Sequence, residues 1–273
     1  MLFRRVVWAF VLPVFGLVLL VVLFPLWSTS PVMADTTTLF VSSSGSCGAK
    51  SPCFGTIQSA VDAAKEGDTI KIAQGVYTST GFQVVNLNKA VSLAGGYSIT
   101  NWTTPNPQSH STVIDAQSAA RRRGIFINSN SPLTLTLSGF TVENGNSDGN
   151  GGGIYINAGA VRLQQMRVLN NYATGSAGRG GGLYAKSGVV EVIESTFESN
   201  SASEGGGGIC VEKTATIRLT NSNVRTNFAY AGPGVWLNES TGTTTILDSV
   251  FDTNSGYYGG AAKIQHTVAV LVG

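Results

Sequence analysis

The side chains best suited to hold a ligand are aromatic, and they fall in one register. Tyr155, Tyr184 and Trp236 each follow the first apolar residue of a glycine motif, in GGGIYI (151–156), GGGLYA (180–185) and GPGVWL (232–237). Phe126 in RGIFI takes the same place one repeat earlier, and Cys210 takes it in GGGICV (206–211). If the preceding Ile154, Leu183, Ile209 and Val235 face a core, strand alternation turns this column outward. Rings at constant spacing on an exposed face offer planes on which the C–H faces of pyranose sugars stack. Rings stacked on one another also stabilise a sheet unaided, by about 0.5–1.5 kcal/mol per pair. Phe126, Tyr155, Tyr184 and Trp236 are therefore the candidate ligand-binding residues, with packing as the competing role.

A second outward column holds Arg162, Glu191, Arg218 and Thr245, each between two inward apolar residues. Charges of opposite sign one repeat apart form surface ion pairs worth about 0–1 kcal/mol each. Arg218 beside Glu191 is also the one arrangement that sketches a catalytic site. Hydrolysis of a glycosidic bond calls for clustered carboxylates, and Asp248 with Asp252 is the nearest approach. No zinc-binding spacing, phosphate-cradling loop or nucleophile elbow occurs.

These residues are positioned by a repeat. The glycine motifs recur every 26 to 29 residues, with a weaker copy, GGAAKI, at 259–264. VLNN, FESN, VRTN and FDTN keep the same beat, so Asn171, Asn200, Asn227 and Asn254 lie 29, 27 and 27 residues apart. The unit is too short and too poor in helix formers for a helix pair, and its apolar residues alternate, as in Val190, Val192 and then Phe197. Two or three short strands per copy, joined by Gly, Asn and Ser turns, predict one coil of a parallel β-helix. Equivalent residues then stack at about 4.8 Å. The Asn column is expected to be structural, amide bonded to amide.

The recurring FxxN and GG[AILV] motifs resemble the repeats of the polymorphic outer membrane proteins over roughly residues 140–262. That resemblance implies a right-handed parallel β-helix and, more weakly, an adhesin-like role. Two differences are that Ile, Leu or Val usually follows GG here and that no β-barrel translocator follows. FGTIQSAVDAAKEGDTIKIAQGVYT (54–78) is similar to the opening of pectate-lyase-like β-helix proteins. Ile57, Ala60, Val61 and Ala64 make the apolar face of a short helix over 57–65, ended by Gly67, that caps the first coil. Lyases of that superfamily use an Arg or Lys base beside a uronate carboxylate, often with calcium on acidic residues. By that analogy Arg218 and Glu191 are the alternative catalytic pair and calcium the one cofactor implied.

Residues 1–34 read as an address. Arg4 and Arg5 precede an apolar run from Val6 to Leu26, and Val32-Met33-Ala34 supplies a cleavage pattern. Secretion, or display at the cell surface, follows. The run is also near bilayer-spanning length, so an uncleaved N-terminal segment is the only membrane contact foreseen. Without Arg4 and Arg5 the chain has 15 basic and 15 acidic residues, which gives no electrostatic case for nucleic acid. In an oxidising compartment Cys47 and Cys53 are expected to form a small-loop disulfide, leaving Cys210 unpaired.

Residues 98–112 form a polar excursion containing Trp102, His110 and the sequon Asn101-Trp102-Thr103, read as a loop folded over one flank. Arg121, Arg122 and Arg123 read as a solvated turn. HTVAVLVG (266–273) ends in an apolar strand without a polar cap, which suggests truncation, self-association at that edge, or an aggregation-prone edge. The expected architecture is all-β: a right-handed parallel β-helix of about six to eight coils over 35–273 with a short N-terminal capping helix. The expected function is non-catalytic and adhesin-like, with polysaccharides or cell-surface glycans as partners. A polysaccharide lyase or hydrolase and a purely architectural envelope protein are the alternatives.

Overall fold

The structure, a computed structural model, describes residues 36–240, 242–265 and 269–272. The expected leader at 1–34 lies outside the described residues, as do 266–268 and 273 of the last apolar segment. From Phe140 onward each repeat folds into four short strands. One turn comprises Ile154–Ala158, Ala160–Gln164, Arg167–Leu169 and Tyr172–Ala173; the next comprises Leu183–Ala185, Val189–Ile193, Thr196–Glu198 and Ser201–Gly205. Each strand pairs in parallel with its counterpart one turn on, as in Ile154 with Leu183, Val161 with Val190, Val168 with Phe197 and Ala173 with Ala202. The result is a parallel β-solenoid of about eight turns with three long sheets and a fourth, five-stranded sheet that begins at Asn146. They are called here the first to fourth faces, in the chain order of those strands.

The fourth face is one strand per turn more than the periodicity predicts. Its strands are short, and their inward residues are small: Ala173, Ala202 and Ala229 are buried together in a cluster of their own. Small side chains carry too little hydropathy contrast to register as alternation. Elsewhere the inward columns are as expected, for example Ile154, Leu183, Ile209 and Val235, all buried in one continuous core. The first turns are covered by helix α1, Ile57–Ala63, which buries Ile57, Ala60 and Val61. Thr56 caps it, its hydroxyl accepting from the Ser59 N–H at 3.1 Å. The helix stops before the expected 65. Ala64 is already extended, and the buried Asp68 carboxylate takes the Lys65 N–H at 2.7 Å and the Thr37 N–H at 2.8 Å.

The corners explain why two sequence signals share one beat. Asn170, Ser199, Thr226 and Thr253 adopt left-handed backbone, with φ of 53, 56, 51 and 49°, and each precedes an Asn of the column. The Asn171 backbone N–H and Nδ2 both donate to Asn200 Oδ1, at 3.0 and 2.9 Å. Asn200 repeats this toward Asn227 at 2.9 and 3.0 Å, and Asn227 toward Asn254 at 3.0 and 2.9 Å. Each Nδ2 also donates to a carbonyl of the preceding turn, those of Val142, Val168, Phe197 and Val224. The third glycine of each GGG packs on these amides. A Cβ at Gly153 would lie 2.9 Å from Asn171 Cγ, and at Gly182 or Gly208 it would lie 3.0 Å from the facing Asn200 or Asn227 Nδ2. FxxN and GG[AILV] are two sides of one contact.

A shorter serine ladder, not foreseen, does the same at the corner between the second and third faces. The N–H groups of Met166, Ser195 and Ser222 donate to Ser195, Ser222 and Ser249 Oγ at 3.0, 3.1 and 3.2 Å.

The 98–112 excursion folds over the flank as expected, and Trp102 anchors it. The Trp102 ring is buried against Phe40 (5.1 Å) and Tyr97 (5.9 Å), and its indole N–H donates to the Cys47 carbonyl at 3.2 Å. Cys47 and Cys53 are joined in a disulfide beside it. His110 sits 2.7 Å from Gln74 Oε1.

Candidate functional site

The aromatic column is in register as expected: Phe126 pairs with Tyr155, Tyr155 with Tyr184, Tyr184 with Cys210 and Cys210 with Trp236. Phe126 and Tyr155 rings are 5.3 Å apart and Tyr155 and Tyr184 rings 4.9 Å. Its expected exposure is corrected. Tyr184 and Trp236 are only 3% and 5% exposed, Cys210 is fully buried, and Phe126 and Tyr155 are half-buried. The column points away from the core and is then covered. Arg179 lies 5.0 Å over the Trp236 ring, and Arg123 lies 5.0 Å over Tyr155 and 5.6 Å over Phe126. The strand Ser201–Gly205 crosses so close that a Cβ at Gly205 would overlap the Trp236 ring. Arg123 is accordingly no part of a solvated turn; of the three arginines Arg121 fits that description, in an exposed ion pair with Asp148 at 2.8 Å.

The cover is held by a charge network that the periodicity does not reveal. Arg179 binds both Glu204 oxygens, Nε to Oε2 and Nη2 to Oε1, each at 2.7 Å, and its Nη1 pairs with Glu212. Glu212 is 5% exposed; it accepts from the Tyr184 hydroxyl at 2.6 Å and from Asn238 Nδ2 at 3.3 Å. Burial alone would raise the Glu212 carboxyl, but the bonds from Tyr184, Arg179 and Asn238 outweigh it and hold the group below its ordinary range. Burial, and then the bond to Glu212, push the Tyr184 hydroxyl up. One signal was present: Arg179 and Glu204 both sit just before the glycine motif and differ in sign. Their role depends on Glu212, which is offset along the first face and belongs to neither marker.

This network makes stability depend on pH. The folded Glu212 carboxyl titrates below its unfolded counterpart, so its contribution is complete above about pH 4.5 and is lost as pH falls through the folded value. The melting midpoint of the parent is expected to fall more steeply below pH 4.5 than that of Glu212→Gln. Parallel curves for the two would contradict the assignment.

Arg218 and Glu191 are adjacent in register on the second face, but Glu191 Oε2 is engaged by Arg162, Nε at 2.9 Å and Nη2 at 2.8 Å. Glu191 is thus ion-paired with Arg162. Among the described residues no group of three or more His, Cys, Asp or Glu could hold a metal ion.

A cluster of open aromatic rings lies on the fourth face. Tyr230, Tyr257 and Tyr258 are 48%, 75% and 57% exposed, with Tyr230 5.6 Å from Tyr257 and 5.0 Å from Tyr258. Tyr230 also lines a pocket of about 460 Å³ with Arg179, Glu204, Trp236, Asn238, Glu239 and Lys263. A larger groove of about 650 Å³ runs between the loop around Pro105 and Pro107 and the corner at Gln165 and Glu194. The tyrosine cluster and the Arg179 pocket therefore combine the exposed rings, cations and carboxylates of the surface, and they form the candidate site.

This architecture places the chain among the β-solenoids. Residues 123–268, more than half of the chain, match the family described as "Right handed beta helix region", and the protein belongs to that family. Its fold is accordingly an all-β right-handed parallel β-helix with one short capping helix. Comparison with curated proteins and with solved structures gave no match. No helix among the described residues is long and apolar enough to cross a membrane.

Proposed function

We propose that this is a secreted or surface-displayed, non-catalytic β-helix protein of adhesin-like type that binds polysaccharides or cell-surface glycans through its fourth face. The observation that carries the reading is the open cluster of Tyr230, Tyr257 and Tyr258, of which Tyr230 also lines a polar pocket. Glycan sites pair such rings with hydrogen-bonding groups because a sugar presents both C–H faces and hydroxyls. The motifs shared with polymorphic outer membrane proteins support the adhesin-like role, and the leader supports export. Two of the three carboxylates near the site, Glu204 and Glu212, are held by Arg179 and so are poorly placed for acid and base work, which weighs against a lyase or hydrolase. The zero formal charge beyond the leader weighs against nucleic acid as a partner.

The test is affinity electrophoresis of the full-length chain through gels holding different plant and bacterial polysaccharides. At least one polymer is expected to retard the parent, and Tyr257→Ala/Tyr258→Ala to lose about tenfold in affinity, since exposed rings contribute to binding and little to the fold. Free migration of the parent in every polymer would favour an architectural role.

A further inference from the structure

We propose that the pocket beside Tyr230 accepts an uncharged sugar unit and turns uronates away, and that Glu204 sets this preference; this rests on the glycan-binding reading above. A uronate carboxylate is most strongly gripped by the two-pronged fork of an arginine. The pocket contains one arginine, Arg179, and it is already spent. Its Nε and Nη2 are bonded to Glu204 and its Nη1 to Glu212. The pocket's other cation is Lys263, whose Nζ lies 5.3 Å from the Trp236 ring. Against these two cations stand three carboxylates, Glu204 and Glu239 in the lining and Glu212 bound to Arg179. An incoming carboxylate would meet excess negative charge and an arginine whose Nε–Nη2 fork is already taken by Glu204.

An uncharged sugar meets neither obstacle. Its hydroxyls can donate to Glu204 and Glu239 and exchange bonds with the Asn238 amide, while its C–H face lies on the Tyr230 ring. The wall holds one unmet donor as well: the Trp236 indole N–H is buried without an acceptor, and Lys263 Nζ lies over that ring. A pocket that holds a buried, unmet donor gains from a ligand oxygen.

The experiment compares the full-length parent, Glu204→Gln and Glu239→Gln in gels holding a neutral galactan, a neutral β-glucan or polygalacturonate, each against a polymer-free gel. The parent is expected to be retarded by at least one neutral polymer and at least about tenfold less by polygalacturonate. Glu204→Gln opens one side of Arg179 and removes a negative charge, so its retardation by polygalacturonate should rise about fivefold or more. Glu239→Gln, exposed and outside the Arg179 network, should shift the preference the same way by less, and it keeps the test alive if Glu204→Gln melts early. Equal retardation of the parent by polygalacturonate and the neutral polymers overturns the proposal and leaves glycan binding standing. So does retardation by a neutral polymer with an unchanged preference in both variants. No retardation of the parent by any polymer overturns both.

Discussion

Asn200→Ala is expected to lower stability by about 4 kcal/mol, which for a chain of this size is about 10 °C in the melting midpoint. Asn200 Oδ1 accepts from two donors, the Asn171 N–H and Asn171 Nδ2. Its Nδ2 donates to the Val168 carbonyl and to Asn227 Oδ1. Alanine leaves these groups short of partners in a place where Asn171, Asn200 and Asn227 are no more than 1% exposed. Each buried group left without a partner costs about 1–3 kcal/mol, and the vacated amide volume adds a cavity beside Gly182. Asn254→Ala should cost about half as much, because Asn254 is half-buried and accepts from Asn227 at the end of the described column. Thermal melts of the two variants test this gradient; equal losses, or a loss below about 1 kcal/mol at Asn200, would contradict the column's role.

The second large effect is expected at the cover of the first face. Arg179→Met removes the cation that neutralises Glu212, whose side chain is 6% exposed. Breaking a buried pair on one side typically costs about 3–5 kcal/mol, while replacing both partners with apolar groups is often close to neutral. Because Arg179 itself is 24% exposed on its side chain, the lower end, about 3 kcal/mol, is expected. Arg179→Met/Glu212→Leu should recover much of the loss. A double variant as unstable as the sum of its single variants would show that the two side chains act independently.

The repeat, the inward columns, the Asn stack and the capping helix were legible in the sequence because each puts a strong chemical contrast at fixed spacing. An Asn every 27 to 29 residues cannot be apolar packing, and Ile57, Ala60, Val61 and Ala64 lie on one side of a helix. The fourth face was not legible, since Ala173, Ala202 and Ala229 give no contrast with their neighbours. That gap propagates to function. The column Tyr155, Tyr184, Cys210 and Trp236 was placed on the correct side of its strand. Without the extra strand Ser201–Gly205 nothing in the pattern could show that it is covered, or that open tyrosines stand on the covering layer. Glu212 escaped notice for a related reason: a single carboxylate two residues beyond Cys210 gains meaning only once Arg179 and Tyr184 converge on it.

On the proposed function the open tyrosines of the fourth face make the binding surface, while the covered aromatic column is packing. The most direct measurement is polysaccharide retardation of three variants beside the parent: Tyr257→Ala/Tyr258→Ala, Tyr184→Phe and Phe126→Leu, each checked by a thermal melt. About tenfold weaker retardation is expected for the fourth-face variant, with melting near that of the parent. Retardation of the other two is expected to be unchanged, with lowered melting at Tyr184→Phe, where the bond to Glu212 is lost. Retardation that survives loss of Tyr257 and Tyr258 and fails at Tyr184 or Phe126 would return the binding surface to the column and overturn the fourth-face assignment.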